Sequence, residues 1–104
     1  MRGGGYKFIV VQLTDGGGEK KLIVRANENC EFHADIFDEL LRHEDLDTLS
    51  PKCVGGGNIE VDPEEKRIRI RSSSSRYGRE PDRQLTVRML QVAFPDYQVK
   101  SDDW

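Results

Sequence analysis

The sequence predicts one α+β domain: a mixed β-sheet of about six strands carrying helices, in the order ββαββαβ. Three observations carry this expectation. Short runs rich in β-branched and aromatic residues alternate between two faces. Two longer stretches, at 33–43 and 82–93, place apolar residues at helical spacing. Gly and Pro clusters punctuate the chain between them. Helices that divide pairs of strands suit a sheet carrying helices better than a sandwich or a bundle. At 104 residues the chain has room for a single modest core.

Residues 6–14, Tyr-Lys-Phe-Ile-Val-Val-Gln-Leu-Thr, read as the first strand, and Asp15-Gly-Gly-Gly18 as the turn into a second strand over 19–25. Period two puts Lys7, Ile9 and Val11 on one face and Phe8, Val10 and Gln12 on the other. Lys7 thus shares a face with apolar residues near a strand end, a placement that snorkelling at a sheet edge or a functional role would both explain. Residues 44–51 read as a polar connection. A strand follows over 52–61, broken by Gly55-Gly56-Gly57, with a bulge or close packing as the favoured account and open access to the backbone as the alternative. Asp62-Pro-Glu-Glu is a turn. Along Lys66-Arg-Ile-Arg-Ile-Arg-Ser-Ser, Ile68 and Ile70 point inward and Arg67, Arg69 and Arg71 outward. A polar loop over 72–79 leads to a helix opened by Pro81-Asp82, running to about Ala93 and lined on one side by Leu85, Met89, Val92 and Ala93. Pro95 stops it, and Tyr97–Lys100 forms a last short strand. Residues 1–5 and 101–104 read as a flexible N-terminus and a tail.

The first helix carries the chemistry. Ile36, Phe37, Leu40 and Leu41 form its apolar stripe, and three or four residues back lies His33, at the helix start. The free N–H groups of a first turn make an anion site, and the dipole there opposes protonation of an imidazole. A neutral imidazole beside such a nest suits a base or nucleophile toward a phosphoryl group; the plainer reading is a partly buried His satisfied by its surroundings.

Bulk properties narrow the classes further. No apolar run approaches the ~20 residues of a membrane span, and the first residues lack a secretory apolar stretch. Cys30 and Cys53 have no metal-like spacing, and His33 and His43 are too few for a zinc motif, so no metal and no cofactor are expected, with reduced thiols in the cytosol or nucleus and a cytoplasmic location foremost. The net charge of −3 hides an asymmetry: residues 66–88 hold eight Lys/Arg against two acids. That permits a local anion-binding face on an acidic body.

Four motifs occur in a familiar order. Phe32-His33-Ala34-Asp35-Ile36-Phe37-Asp38, Cys53-Val54-Gly55-Gly56-Gly57, Ser74-x-x-Tyr77-Gly78 and Phe94-Pro95-Asp96-Tyr97-Gln98-Val99 resemble the signatures of the janus-type family, the small eukaryotic phosphohistidine phosphatases. The resemblance covers residues 6–104 and implies the same mixed-sheet fold, with a helix packed on each side, as a single domain. It implies His33 as the catalytic residue, and Lys7, Arg25, Ser74 and the backbone at Ser75 and Arg76 as phosphate-binding groups, joined by first-turn donors at Ala34. Gly55, Gly56, Gly57 and Asn58 would run beside the pocket. Three departures stand out: Asn58 where some members carry Arg, Asp82 where some carry His, and Arg76 where a small residue is usual.

The resemblance therefore implies a metal-independent protein phosphohistidine phosphatase acting as a monomer on phosphohistidine-containing proteins, with phospholysine as a further possible substrate. Two other readings stand beside it. One is a phosphoprotein-binding relative without turnover. The other, weaker one is a nucleic-acid module using the basic segment at 66–88, which has only Tyr77 as an interleaved aromatic.

Overall fold

A computed structural model describes residues 3–101. The elements follow the order ββαββαβ: β1 (Gly4–Thr14), β2 (Lys20–Ala26), α1 (His33–His43), β3 (Ser50–Asp62), β4 (Arg67–Arg71), α2 (Arg83–Ala93) and β5 (Gln98–Ser101). They form one sheet of five strands, rather than about six, in the spatial order β2-β1-β3-β4-β5. Three pairings are antiparallel, while β5 returns parallel to β4 after α2, which makes the sheet mixed.

Strand β1, flanked by β2 and β3, is apolar on both faces because a helix covers each. Phe8 and Val10 join Ile59, Val61, Ile68, Ile70 and Val99 beneath Val87 and Leu90 of α2. Ile9, Val11 and Leu13 pack on the opposite face against Ile36 and Leu40 of α1. One face alone could not bury both sets, since successive strand residues point opposite ways.

The turn at Asp15–Gly18 is tied by the Asp15 carboxylate, whose Oδ1 accepts from Gly17 N and Glu19 N, each at 2.9 Å. β3 starts at Ser50, inside the stretch read as a connection, because Ser50 and Pro51 pair with Thr14 and Leu13 of the long β1. The expected bulge lies at the glycine run: Val10 pairs with Gly55 and Val11 with Cys53, leaving Val54 as the extra residue. Gly4 and Gly5 belong to β1 and Ser101 closes β5, so neither expected terminal segment is wholly irregular; residues 1–2 and 102–104 of those segments lie outside the described residues.

The buried stripe of α2 differs from the expected one. Arg83, Thr86, Val87 and Leu90 face inward, Leu85 and Met89 are half-buried, and Val92 is 81% exposed, with Ala93 exposed beside it. Apolar periodicity misplaced the stripe by about one position because two of its members are polar. Arg83 and Glu80 form an ion pair of 2.8 Å with both side chains 2% exposed. Thr86 Oγ1 donates to Glu80 Oε2 at 2.7 Å, and Arg83 Nη2 donates to Gly56 O (3.1 Å) and Ser72 O (2.8 Å). The guanidinium also lies over the Phe8 ring, 5.3 Å from its centroid. Glu80, Gly56 and Ser72 make the buried charge tolerable, and they sit on three different segments of the chain.

Candidate active site

His33 is the first residue of α1 and is 6% exposed. The N-terminus of the helix is fastened by Asp35, whose Oδ2 accepts from Phe32 N at 3.3 Å. The ring lies against β3, with Nε2 2.9 Å from Gly57 O. A carbonyl oxygen only accepts, so Nε2 carries the proton and Nδ1 keeps the lone pair. Burial lowers the pKa of the ring below the ordinary histidine value, and the nearby charge of Lys7 lowers it further, against the opposing pull of the Gly57 carbonyl. The neutral imidazole expected from the helix dipole therefore has desolvation as its main cause and Lys7 as a second.

The Gly triplet makes room for this arrangement. A Cβ at Gly56 would meet His33 Cδ2 at 3.2 Å and the backbone of Phe8 and Ile9 more closely still. Gly55, at φ +154°, lies against the backbone of Arg79 and Glu80, where a side chain would collide. Bulge and close approach are thus both present, and what approaches the backbone is the chain itself.

Lys7 lies two residues along β1 from Ile9, the cross-strand partner of Gly56. It pairs with Asn58 of β3, which pairs with Arg71 of β4. Lys7, Asn58 and Arg71 line an open cleft of about 350 Å³, together with Glu60, Asn27 and Cys30. His33 is not among its lining residues; its ring stands over Gly56, two residues along β3 from Asn58. A larger depression of about 810 Å³, bordered by Gly5, Asp62, Arg67 and Arg69, holds neither His33 nor Lys7.

The loop after β4 closes on itself. Ser74 N donates to Gly78 O at 3.1 Å, and Gly78 N to Ser74 O at 2.8 Å. Ser74 Oγ accepts from Arg76 N (3.2 Å) and Tyr77 N (3.0 Å), so the amide of Arg76, expected to meet phosphate directly, is already occupied. The hydroxyl proton of Ser74 remains to be donated, from a side chain only 3% exposed. The loop meets α1 through a T-shaped contact between Tyr77 and Phe37, with centroids 6.1 Å apart, and meets β3 through Gly56 N, which donates to Gly78 O at 3.0 Å. Ser75 and Arg76 are exposed, and the Arg76 guanidinium lies 5.7 Å from the Tyr77 ring centroid.

Arg25 is placed otherwise than expected. Its Nε and Nη2 hold both oxygens of Glu44 at 2.8 and 2.7 Å, and Nη1 donates to Val24 O at 2.9 Å. Glu44 follows the last residue of α1, so this bidentate pair ties β2 to the C-terminal end of the helix, away from His33. The hydrogen bond raises the pKa of Arg25 and lowers that of Glu44.

The sequence reading missed two groups. Alternation along β4 predicts a solvated arginine face, whereas strand register brings Arg71 into the row of Lys7. The Glu80–Arg83–Thr86 cluster went unseen, and its only sequence signal was polar residues spaced three apart along one helical stripe.

Among the described residues, no three His, Cys, Asp or Glu side chains are grouped as a metal site would need, and no helix is long and apolar enough to cross a membrane.

The model of the Janus/Ocnus family matches residues 1–98. Similar proteins include sex-regulated protein janus-A of Drosophila yakuba, 36% identical over 101 residues that cover 94% of this chain and 72% of that one. The janus-A protein of Drosophila melanogaster is 34% identical with the same coverage. The 14 kDa phosphohistidine phosphatase of Sus scrofa is 28% identical over 102 residues, which cover 92% of this chain and 80% of the other. A buried helix-start histidine facing a glycine-run strand, and a sequence match extending through nearly the whole fold, lead to one assignment: the chain belongs to the Janus/Ocnus family.

Proposed function

We propose that this protein is a phosphohistidine phosphatase that hydrolyses the P–N bond of phosphohistidine in other proteins, with His33 as general base or nucleophile. The single observation that carries the reading is the His33–Gly57 contact: it fixes the tautomer, leaves Nδ1 unprotonated, and does so on a buried ring beside Lys7. The similarity to a protein named as a phosphohistidine phosphatase supports the substrate class.

The chemistry asks little of the protein beyond positioning. The P–N bond breaks readily once the leaving imidazole is protonated, so holding the phosphoryl oxygens, aligning the attack and moving one proton suffice. As a base, Nδ1 takes a proton from water while the water oxygen attacks phosphorus; the P–N electron pair leaves with the substrate imidazole, which is protonated, and inorganic phosphate is released. As a nucleophile, Nδ1 itself attacks phosphorus, and water then cleaves the phospho-His33 formed. In both cases Lys7, the first-turn amides at His33 and Ala34 and the Ser74 hydroxyl meet the charge on the transferring group. Neither route calls on a metal.

A phosphoprotein-binding role without turnover is favoured by one observation, the neutral Asn58 between the two cations of its row. The basic segment offers a poor nucleic-acid surface, since Arg83 is buried on Glu80 and Arg71 is paired with Glu60. The deciding experiment incubates the protein with a chemically phosphorylated histidine peptide in EDTA and follows phosphate release. Release that disappears in a folded His33→Ala variant is the expected result. Peptide binding without release would leave the binding role, and full activity in His33→Ala would remove His33 from the chemistry.

A further inference from the structure

We infer that Arg71 is a phosphoryl-binding residue of this site, held in reserve by Glu60 and supplying the guanidinium that position 58 lacks. The inference rests on the proposed phosphoryl chemistry for the ligand, and on strand register for the residue.

Lys7, Asn58 and Arg71 occupy one cross-strand row. Directly opposed residues of antiparallel strands project from the same face, with Cβ atoms about 5 Å apart at each step. Lys7 and Arg71 therefore flank Asn58 at a Cβ separation of roughly 10 Å, within the combined reach of two long side chains. The residue between them is short and neutral. All three border the same open cleft, so an anion seated over Asn58 meets a cation on either side.

What holds Arg71 now is weak enough to exchange. Its Nη2 lies 2.7 Å from Glu60 Oε1, with the two side chains 50% and 48% exposed. Half-exposed pairs of this kind contribute little, whereas a phosphoryl group offers two oxygens to the planar guanidinium. Glu60 does not lose its counter-charge when Arg71 leaves. Arg69 stands directly opposite Glu60 in β4 and makes no ion pair among the described residues. The other arginines near the fold's centre lack this freedom. Arg25 is clamped by both oxygens of Glu44, and Arg83 is buried on Glu80. Glu60 thus acts as an internal carboxylate that competes with the substrate for Arg71.

The test compares Arg71→Gln, Glu60→Gln and the double variant, all at exposed positions, with two readouts: inorganic phosphate affinity by calorimetry, and KM and kcat for release from the phosphohistidine peptide. Arg71→Gln is expected to weaken phosphate binding and raise KM by about five- to tenfold with kcat nearly unchanged. Glu60→Gln is expected to tighten both, and the double variant to match Arg71→Gln alone. Unchanged phosphate affinity in Arg71→Gln overturns the inference. So does a gain from Glu60→Gln that survives without Arg71, because the carboxylate would then act only through general charge. Wild-type protein that binds no phosphate overturns it as well. Phosphate binding that depends on Arg71 without any peptide turnover supports the inference while ending the enzymatic reading; turnover with a KM indifferent to Arg71 does the reverse.

Discussion

His33 Nε2 donates to the carbonyl oxygen of Gly57 at 2.9 Å, and the adjacent carbonyl, that of Gly56, accepts from Arg83 at 3.1 Å. Two consecutive peptide oxygens of one strand thus anchor the candidate catalytic ring and the buried arginine of α2. Gly56 and Gly57 can serve both because no side chain separates the strand from either visitor.

The lowered pKa of His33 gives a signed expectation. Burial, the main cause, favours the neutral ring in the folded state, while the unfolded chain protonates near the ordinary value. Between the two values the unfolded state holds one more proton, so stability is fully present above the ordinary histidine range and falls as pH drops through the lowered folded-state value. Chemical denaturation at a series of pH values should show this loss in wild type, and His33→Gln should flatten it. The acid limb of kcat/KM should likewise lie below the ordinary histidine pKa. An acid limb at or above that value would contradict a neutral buried ring as the reactive form.

Asn58 lines the cleft between Lys7 and Arg71 rather than facing solvent elsewhere. Asn58→Arg should therefore lower the inhibition constant of inorganic phosphate by roughly fivefold at low salt, the equivalent of about 1 kcal/mol. The gain should shrink as ionic strength rises. Phosphate titrations at two salt concentrations check it, and equal constants for variant and wild type would remove residue 58 from the site.

Arg25 is engaged by Glu44 at both carboxylate oxygens, with its side chain 42% exposed. Arg25→Ala should thus register in stability before it registers in substrate use, with a loss of about 1 kcal/mol or less for a pair this open to solvent. Urea unfolding beside steady-state kinetics separates the two effects. A large rise in KM with unchanged stability would return Arg25 to the phosphate site.

The Glu80–Arg83 pair is another matter, since both side chains are 2% exposed. Arg83→Met leaves Glu80 charged, buried and without its partner, and also strips donors from Gly56 O and Ser72 O. A loss of ~3–5 kcal/mol is expected. Glu80→Gln/Arg83→Met should cost less than the sum of the single changes, because no uncompensated charge remains. Additive losses in a double-mutant cycle would mean that the pair contributes no coupling.

Sequence alone determined the element order, the two-faced first strand and the helix start at His33. Each of these is a local matter: period two, period 3.6, a run of glycines or a proline is written in neighbouring residues. The motif series was equally legible, and with it the family. Tertiary structure decided the rest, because it depends on which distant segments meet. The parallel return of β5 and the start of β3 at Ser50 follow from pairing partners that no local pattern names. Apolar periodicity put Val92 in the core, whereas folding buried Arg83, since Glu80, Gly56 and Ser72 converge to satisfy it from three segments. Arg25 is the converse case: a cation on a strand leading toward the site is drawn to Glu44 at the far end of α1. A charge goes to the partner that is nearest in space and best aligned, and strand register, not sequence distance, sets Lys7, Asn58 and Arg71 side by side.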